Sequence, residues 1–119
     1  MAGEALFIGW GEVVRGREKK SLDVFQDAIA YYGKLQEEGK IDSFDVFFLA
    51  PHGGDLGGFA ILKGERAKMA EVRFSEDFER LTARAAAVVD NVGVIPAYGG
   101  DALAQQVAIF QQVADEFDT

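Results

Sequence analysis

The chain has 119 residues and no cysteine, and 20 Asp and Glu against 12 Lys and Arg give it a formal net charge of −8. This length fits one domain, residues 1–119, with a core that needs neither disulfides nor a metal. The acidic balance argues against a nucleic-acid partner, and the absence of cysteine excludes thiolate chemistry and suits a reducing cytoplasm.

No apolar run approaches the roughly 20 residues that a membrane helix needs. The opening sequence MAGEALFIGWGE also lacks the basic segment of an export signal. We therefore predict a soluble, cytoplasmic protein with no membrane partner.

The first half of the chain predicts a strand followed by a helix. Aromatic and β-branched residues predict a strand over residues 5–14, in which Gly9 and Gly11 leave backbone that another element or a ligand can approach closely. Apolar residues spaced by three or four then predict an amphipathic helix over residues 17–38. Gly39 suits the left-handed position that follows a helix.

Residues 41–64 hold two apolar runs on either side of a glycine-rich segment, and they predict a β-hairpin with strands at 42–50 and 59–62. Side chains alternate along the first of these strands, so that one face carries Phe44, Val46 and Phe48 and the other carries Phe47 and Leu49. Because both faces are apolar, we expect the hairpin at the centre of the sheet and not at a solvated edge.

The second half predicts a short helix at 65–72, a helix at 75–90 that begins after Ser75, a strand at 91–98 and a last helix at 101–117. Pro96 favours an edge position or a strand end for the last strand. The order β-α-β-β-α-β with an extra C-terminal helix predicts an α+β, ferredoxin-like fold with an antiparallel sheet. The last helix is expected to join the helical layer or to pack on a neighbouring copy.

This element order, with the stretches FIGWGEVV, HGGDLGG and FERLTARAAAVVDNVGVIPAY, resembles uncharacterised bacterial members of the dimeric α/β-barrel superfamily. The resemblance implies a homodimer in which two ferredoxin-like sheets pack through their open faces. Because the superfamily includes cofactor-independent monooxygenases and isomerases, the resemblance also implies an activity of this kind. Haem-binding branches use a histidine in a helix or the domain core, whereas His52 falls in the hairpin turn, so no cofactor is expected.

The sequence offers a candidate ligand pocket between the sheet and the helices, with Tyr31 or Tyr32 at its mouth. Aromatic side chains are predicted to line it: Trp10, Phe44, Phe48, Phe59 and Tyr98. The same residues are equally typical of a solidly packed core. Because Tyr31 and Tyr32 are adjacent, one of them must lie at the edge of the buried stripe.

Three residues are candidate catalytic residues: His52, Asp45 and Tyr32. The turn PHGGDLGG places His52 where it acts as an acid or base, shares a metal with Asp55, or simply lies exposed in a loop with positive φ at several glycines. Two ligands do not specify a metal, so none is predicted. Asp45 lies on the face of Phe47, where a carboxylate is near a strand end, paired with an arginine (Arg15, Arg17 or Arg84) or functional.

Two classes of function follow. The first is a cofactor-independent monooxygenase or isomerase that acts on a small aromatic molecule in the pocket, with Tyr32, His52 or Asp45 handling a proton. The second is a non-catalytic module for ligand binding or assembly, for which the missing nucleophile, metal cluster and phosphate loop are expected.

Overall fold

The computed structural model describes residues 3–118, which form four strands and four helices. In chain order the elements are β1 (Glu4–Trp10), α1 (Glu18–Glu37), β2 (Ser43–Phe48), β3 (Gly58–Gly64), α2 (Arg66–Arg73), α3 (Glu76–Ala86), β4 (Gly93–Ala97) and α4 (Gly100–Phe117). The predicted ferredoxin-like fold is confirmed, and α2 adds a short helix before α3.

The four strands form one antiparallel sheet in the order β2-β3-β1-β4. The prediction that the hairpin is central is therefore wrong for β2, which is an edge strand. Its two apolar faces do not reflect burial on both sides, because Phe47 is 49% exposed and Phe48 is 66% exposed. The other edge is β4, as Pro96 indicated.

The strand β1 ends four residues earlier than predicted, because its pairing with β3 ends at Trp10 and its pairing with β4 ends at Gly9. The Gly11 N–H donates to the carbonyl of Asp90 at 2.7 Å, and beyond it Val13 pairs only with Val89. The same pairing explains why α3 ends at Ala86 and not at residue 90. Residues 88–90 leave the helix because their backbone pairs with the segment that follows β1.

The core lies between the sheet and a layer formed by α1, α2 and α3. Leu6 and Ile8 of β1 and Ala60 and Leu62 of β3 point into it and are buried. Ser75 caps α3 by accepting a hydrogen bond from the Phe78 N–H. The buried strand residues and the start of α3 at its Ser75 cap place the helices over one face of the sheet.

The other face of the sheet is open and largely apolar, with the charged Asp45 and Lys63 on it as well. Phe59 stacks on Phe7 with ring centroids 5.1 Å apart and on Phe47 at 5.2 Å. Ile61 and Ile95 flank Phe7 in the neighbouring strands, and Ile95 is 55% exposed. We call the face formed by Phe7, Phe47, Phe59, Ile61 and Ile95 the open face.

The C-terminal helix α4 does not join the helical layer. It buries none of its residues, and within residues 3–118 it has no substantial contact with another helix or strand. No helix of the described chain combines the length and apolarity needed to cross a bilayer.

Candidate functional site

A cavity of about 160 Å³ lies between the helical layer and the end of β1. It is formed where α1 and α3 pack side by side over the sheet, and its walls are almost entirely apolar. The side chains that shape it include Ile8, Trp10, Phe25, Tyr32, Phe48, Leu81 and Val88. A cavity of about this size accepts a single aromatic ring.

Three aromatic side chains meet at the mouth of this cavity. Trp10 lies edge-on to Phe25 at 6.4 Å and to Phe48 at 6.2 Å, and Phe25 and Phe48 are 4.9 Å apart. Phe48 and Leu22 are the most exposed of the lining side chains, which places the opening beside them. An aromatic ligand entering here meets aromatic faces and edges at favourable distances.

Two of the hydroxyl groups at the cavity wall are already bonded within their own helices. Ser21 Oγ donates to the carbonyl of Glu18 at 2.7 Å, and Thr82 Oγ1 donates to the carbonyl of Phe78 at 2.9 Å. Such back-bonding leaves these hydroxyls little to offer a ligand. Among the lining side chains, the phenol of Tyr32 and the indole N–H of Trp10 are then the remaining polar donors.

Tyr32 is 5% exposed and lines the cavity from α1. Burial, and secondarily the neighbouring Tyr31, raises the pKa of the Tyr32 phenol from 10.0 to about 12. The phenol is therefore protonated at neutral pH, so that it donates a hydrogen bond and does not act as a base. Tyr31 is only partly buried, as expected for the edge of the stripe.

The structure separates the aromatic residues that were predicted to line one pocket. Trp10 and Phe48 line the cavity, and Phe44 packs beside it, with its ring 5.7 Å from that of Tyr32. Phe59 lies on the open face instead, on the other side of the sheet. Tyr98 follows β4 at the end of the sheet remote from Trp10 and is 43% exposed.

Sequence reasoning did not assign the helical walls of the cavity. Leu22 and Phe25 of α1 and Leu81 and Ala85 of α3 line it. All four belong to the apolar stripes that predicted these helices. These stripes could have identified the cavity walls, because the apolar face of a helix that packs on a sheet lines any cavity between the helix and the sheet.

His52 lies outside the cavity, in the loop between β2 and β3. Its Nδ1 accepts a hydrogen bond from the Gly54 N–H at 3.2 Å, and its Nε2 lies 2.7 Å from the carbonyl of Leu56. This pattern matches a neutral ring with its proton on Nε2, which donates to Leu56. Positive φ is found at Gly53 in this loop and not at several glycines. The His52 ring thus joins two parts of the loop between β2 and β3 through these two contacts.

Asp45 also lies outside the cavity. It is exposed on the open side of the edge strand β2, opposite Ile61. Two of the arginines proposed as its partners are engaged elsewhere. Arg84 pairs with Asp27 at 3.0 Å, and Arg17 donates to the carbonyl of Ala87. The structure thus brings Tyr32 into the cavity and leaves His52 and Asp45 apart from it.

A larger groove of about 460 Å³ lies where the end of α1 meets α2 and the start of α3. Its walls carry both charges, including Lys34 and Lys68 as well as Glu71 and Asp77. Opposite charges cancel there, and Lys68 Nζ is bonded to the carbonyl of Gly39 at 3.2 Å. In the described part of the chain no three His, Asp or Glu side chains converge to hold a metal. The apolar cavity is therefore the candidate site.

No protein-family model matches the sequence, and no curated protein matches it. Solved structures match at the level of fold. A dimeric ferredoxin-like protein of unknown function from a Jannaschia species has a TM-score of 0.63 at 12% identity, covering 82% of this chain and 100% of its own. A second dimeric ferredoxin-like protein, from Bacteroides fragilis, has a TM-score of 0.58 at 8% identity, covering 81% and 96%.

SnoaB, a cofactor-independent oxygenase from Streptomyces nogalater, shares the same architecture. Its TM-score is 0.58 at 13% identity, covering 81% of this chain and 92% of its own. At such identities the similarity establishes the fold and leaves the chemistry to the site itself. The chain is thus a ferredoxin-like α+β protein, as its sequence predicted.

Proposed function

We propose that this protein is a cofactor-independent oxygenase or isomerase that acts on a molecule with a single aromatic ring. The observation that carries the proposal is the apolar cavity of about 160 Å³ whose lining includes Tyr32, a phenol that makes no hydrogen bond within residues 3–118. Binding sites of this kind combine apolar walls with a few placed polar groups. The volume favours a single ring over a fused polycyclic skeleton.

Tyr32 defines the chemistry that the cavity offers. A protonated phenol donates a hydrogen bond to an oxygen of the ligand and stabilises negative charge that develops there. The apolar surroundings strengthen this interaction, because little water screens it. The cavity wall has no carboxylate or imidazole among residues 3–118. The proposed substrate is therefore a phenol or enol that is acidic enough to lose its proton to water.

The first test measures binding. Trp10 is the single tryptophan and lines the cavity, so its fluorescence reports a bound ring directly. We expect single-ring phenols and aromatic acids to change this signal and to raise the melting temperature. A ligand at 100 times its Kd stabilises the native state by about 2.7 kcal/mol, which corresponds to several degrees. Fused-ring analogues and haem serve as larger probes that are expected to leave both signals unchanged.

A matched pair of variants places the binding in the cavity. Ala85 lines the cavity from α3, whereas Ala83 of the same helix is exposed. Ala85→Leu is expected to occupy the space and to abolish the ligand response, and Ala83→Leu is expected to keep it. If no ring compound moves either signal in the parent protein, the small-aromatic proposal is wrong.

A non-catalytic binding module is the second candidate function, and the missing base at the cavity wall favours it. Turnover separates the two candidates. An oxygenase consumes dissolved oxygen when a bound phenol is supplied, an isomerase converts its ligand without oxygen, and a binding module returns the ligand unchanged. Tyr32→Phe is expected to lower turnover at least tenfold more than it weakens binding, because it removes the hydrogen bond to the developing charge.

We also propose that the protein is a homodimer through the open face. Phe47 and Ile95 are exposed there beside the partly buried Phe7, Phe59 and Ile61, and apolar patches of this kind mark interaction surfaces. Two fold neighbours are described as dimeric. Symmetric pairing of one patch with its own copy is the commonest form of assembly.

Sedimentation of two charge variants tests the homodimer. Phe47→Asp is expected to convert the dimer to a folded monomer, because it places a carboxylate in the paired sheets. Phe74→Asp is the matched control, since Phe74 is 68% exposed outside the sheet. A parent protein that sediments as a monomer at micromolar concentration would refute the pairing.

A further inference from the structure

The helix α4 carries an apolar stripe that the described part of the chain leaves uncovered. Residues spaced by four and three positions place one side chain per turn on a single face of the helix. These side chains are Leu103, Val107, Phe110, Val113 and Phe117, with exposed fractions from 48% to 77%. Gln105 and Gln112 lie on the opposite face. An 18-residue helix with this pattern is built to pack on something.

The helix also projects from the rest of the molecule. The Cα radius of gyration is 16.6 Å and the longest dimension is 57 Å. A compact domain of this length has a radius of gyration of about 13.5 Å. The excess agrees with a helix that leaves the domain after β4 and has no substantial contact with another helix or strand among residues 3–118.

The open face alone is small for a stable homodimer. Four strands about 4.8 Å apart and about 23 Å long present on the order of 450 Å² per copy, or roughly 900 Å² for a pair. Stable homodimers bury on the order of 2,000 Å² or more. The proposed sheet pairing therefore leaves a shortfall of roughly half the area.

The apolar stripe of α4 can bury an area close to the area that the sheet pairing lacks. An 18-residue helix is about 27 Å long and about 10 Å wide, so that one face covers roughly 270 Å². Two such helices, each covering an equal area on the other subunit, add roughly 1,100 Å². The total then reaches the range that stable homodimers need.

We propose that α4 of each subunit packs on the other subunit, so that the two copies are held by exchanged helices as well as by their sheets. This inference rests on the proposed homodimer and adds a second contact to it. The occupant of the α4 stripe is a second copy of this chain. Other occupants, such as the helix's own domain or an unrelated protein, are outcomes that the test separates.

Two variants of the full chain test the exchange. Phe110→Asp puts a charge in the centre of the stripe, and Gln112→Asp puts the same charge on the opposite face of the same helix. Phe110→Asp is expected to raise the dimer dissociation constant roughly 100-fold or more, because both copies lose a buried ring. Gln112→Asp is expected to change it less than threefold. Sedimentation equilibrium measures both, beside Phe47→Asp.

The outcomes distinguish this inference from the homodimer on which it rests. If Phe47→Asp dissociates the dimer and Phe110→Asp does not, the sheets pair and the exchange is wrong. If both dissociate it while Gln112→Asp does not, the exchange is supported. A monomeric parent protein overturns both proposals. In that case, a melting temperature lowered by Phe110→Asp assigns the stripe to its own domain, and an unchanged one assigns it to a different partner.

Discussion

Ionisation of Tyr32 is expected to destabilise the protein at high pH by an amount that the structure predicts. Burial raises the pKa of this phenol from 10.0 to about 12, so the native state resists its ionisation. The unfolded chain has no such burial and ionises near its ordinary value. Below pH 10 both states are protonated, and the contribution of Tyr32 to stability is fully present.

Between pH 10 and pH 12 the unfolded state loses the Tyr32 proton while the native state keeps it. The free energy of unfolding then falls by at most about 1.1 kcal/mol for each pH unit, or about 2 kcal/mol over this interval. Between pH 9 and pH 11, a range in which urea unfolding is measured conveniently, the loss is about 1.4 kcal/mol. The sign is fixed, since a raised pKa in the native state always removes stability as pH rises.

Urea unfolding of the parent protein and of Tyr32→Phe at pH 9, 10 and 11 measures this loss. The variant keeps the ring that packs 5.7 Å from Phe44 and lacks the ionisable group. All other side chains are the same in both proteins, so the difference between the two isolates Tyr32. We expect the parent to lose about 1.4 kcal/mol more than the variant. Parallel losses would show that the Tyr32 phenol is not held neutral by burial.

Two further predictions concern the loop between β2 and β3. Gly57→Ala is expected to lower the free energy of unfolding by about 1–3 kcal/mol in urea, because its Cβ would lie 2.6 Å from the Gly11 carbonyl oxygen. Gly33→Ala in α1 meets no atom within 4 Å and is expected to stabilise by about 0.5–1 kcal/mol, so equal effects would refute the steric argument. His52→Ala is expected to speed hydrogen exchange of the Gly54 amide, because it removes the acceptor of that N–H. It is expected to leave the binding of single-ring ligands, monitored by Trp10 fluorescence, unchanged. Loss of that binding would show that His52 contributes to the site.

The amino-acid sequence predicted the elements because their signals are local. Period-2 alternation marks β2, apolar stripes mark α1 and α3, and Gly39, with φ of 73°, follows α1 as expected. The ends of elements were less predictable. The end of β1 depends on a hydrogen bond from Gly11 to Asp90, a residue far along the chain.

The candidate site was only partly predictable for a related reason. Alternation states which residues of one strand share a face, and it leaves open which face the helices cover. Trp10 and Phe48 therefore reached the cavity, while Phe59 fell on the open face. His52 was prominent in the sequence, yet its ring nitrogens are used to close a loop.

The sequence by itself determined the composition of each element, the order βαββαβ and the two-sided apolarity of β2, since these follow from side-chain periodicity along the chain. The tertiary structure decided that β2 lies at an edge, that Tyr32 lines the cavity while His52 and Asp45 do not, and that α4 has no substantial contact with another helix or strand of the described chain. Strand order, cavities and uncovered faces arise from contacts between residues distant in sequence. No local periodicity encodes such contacts.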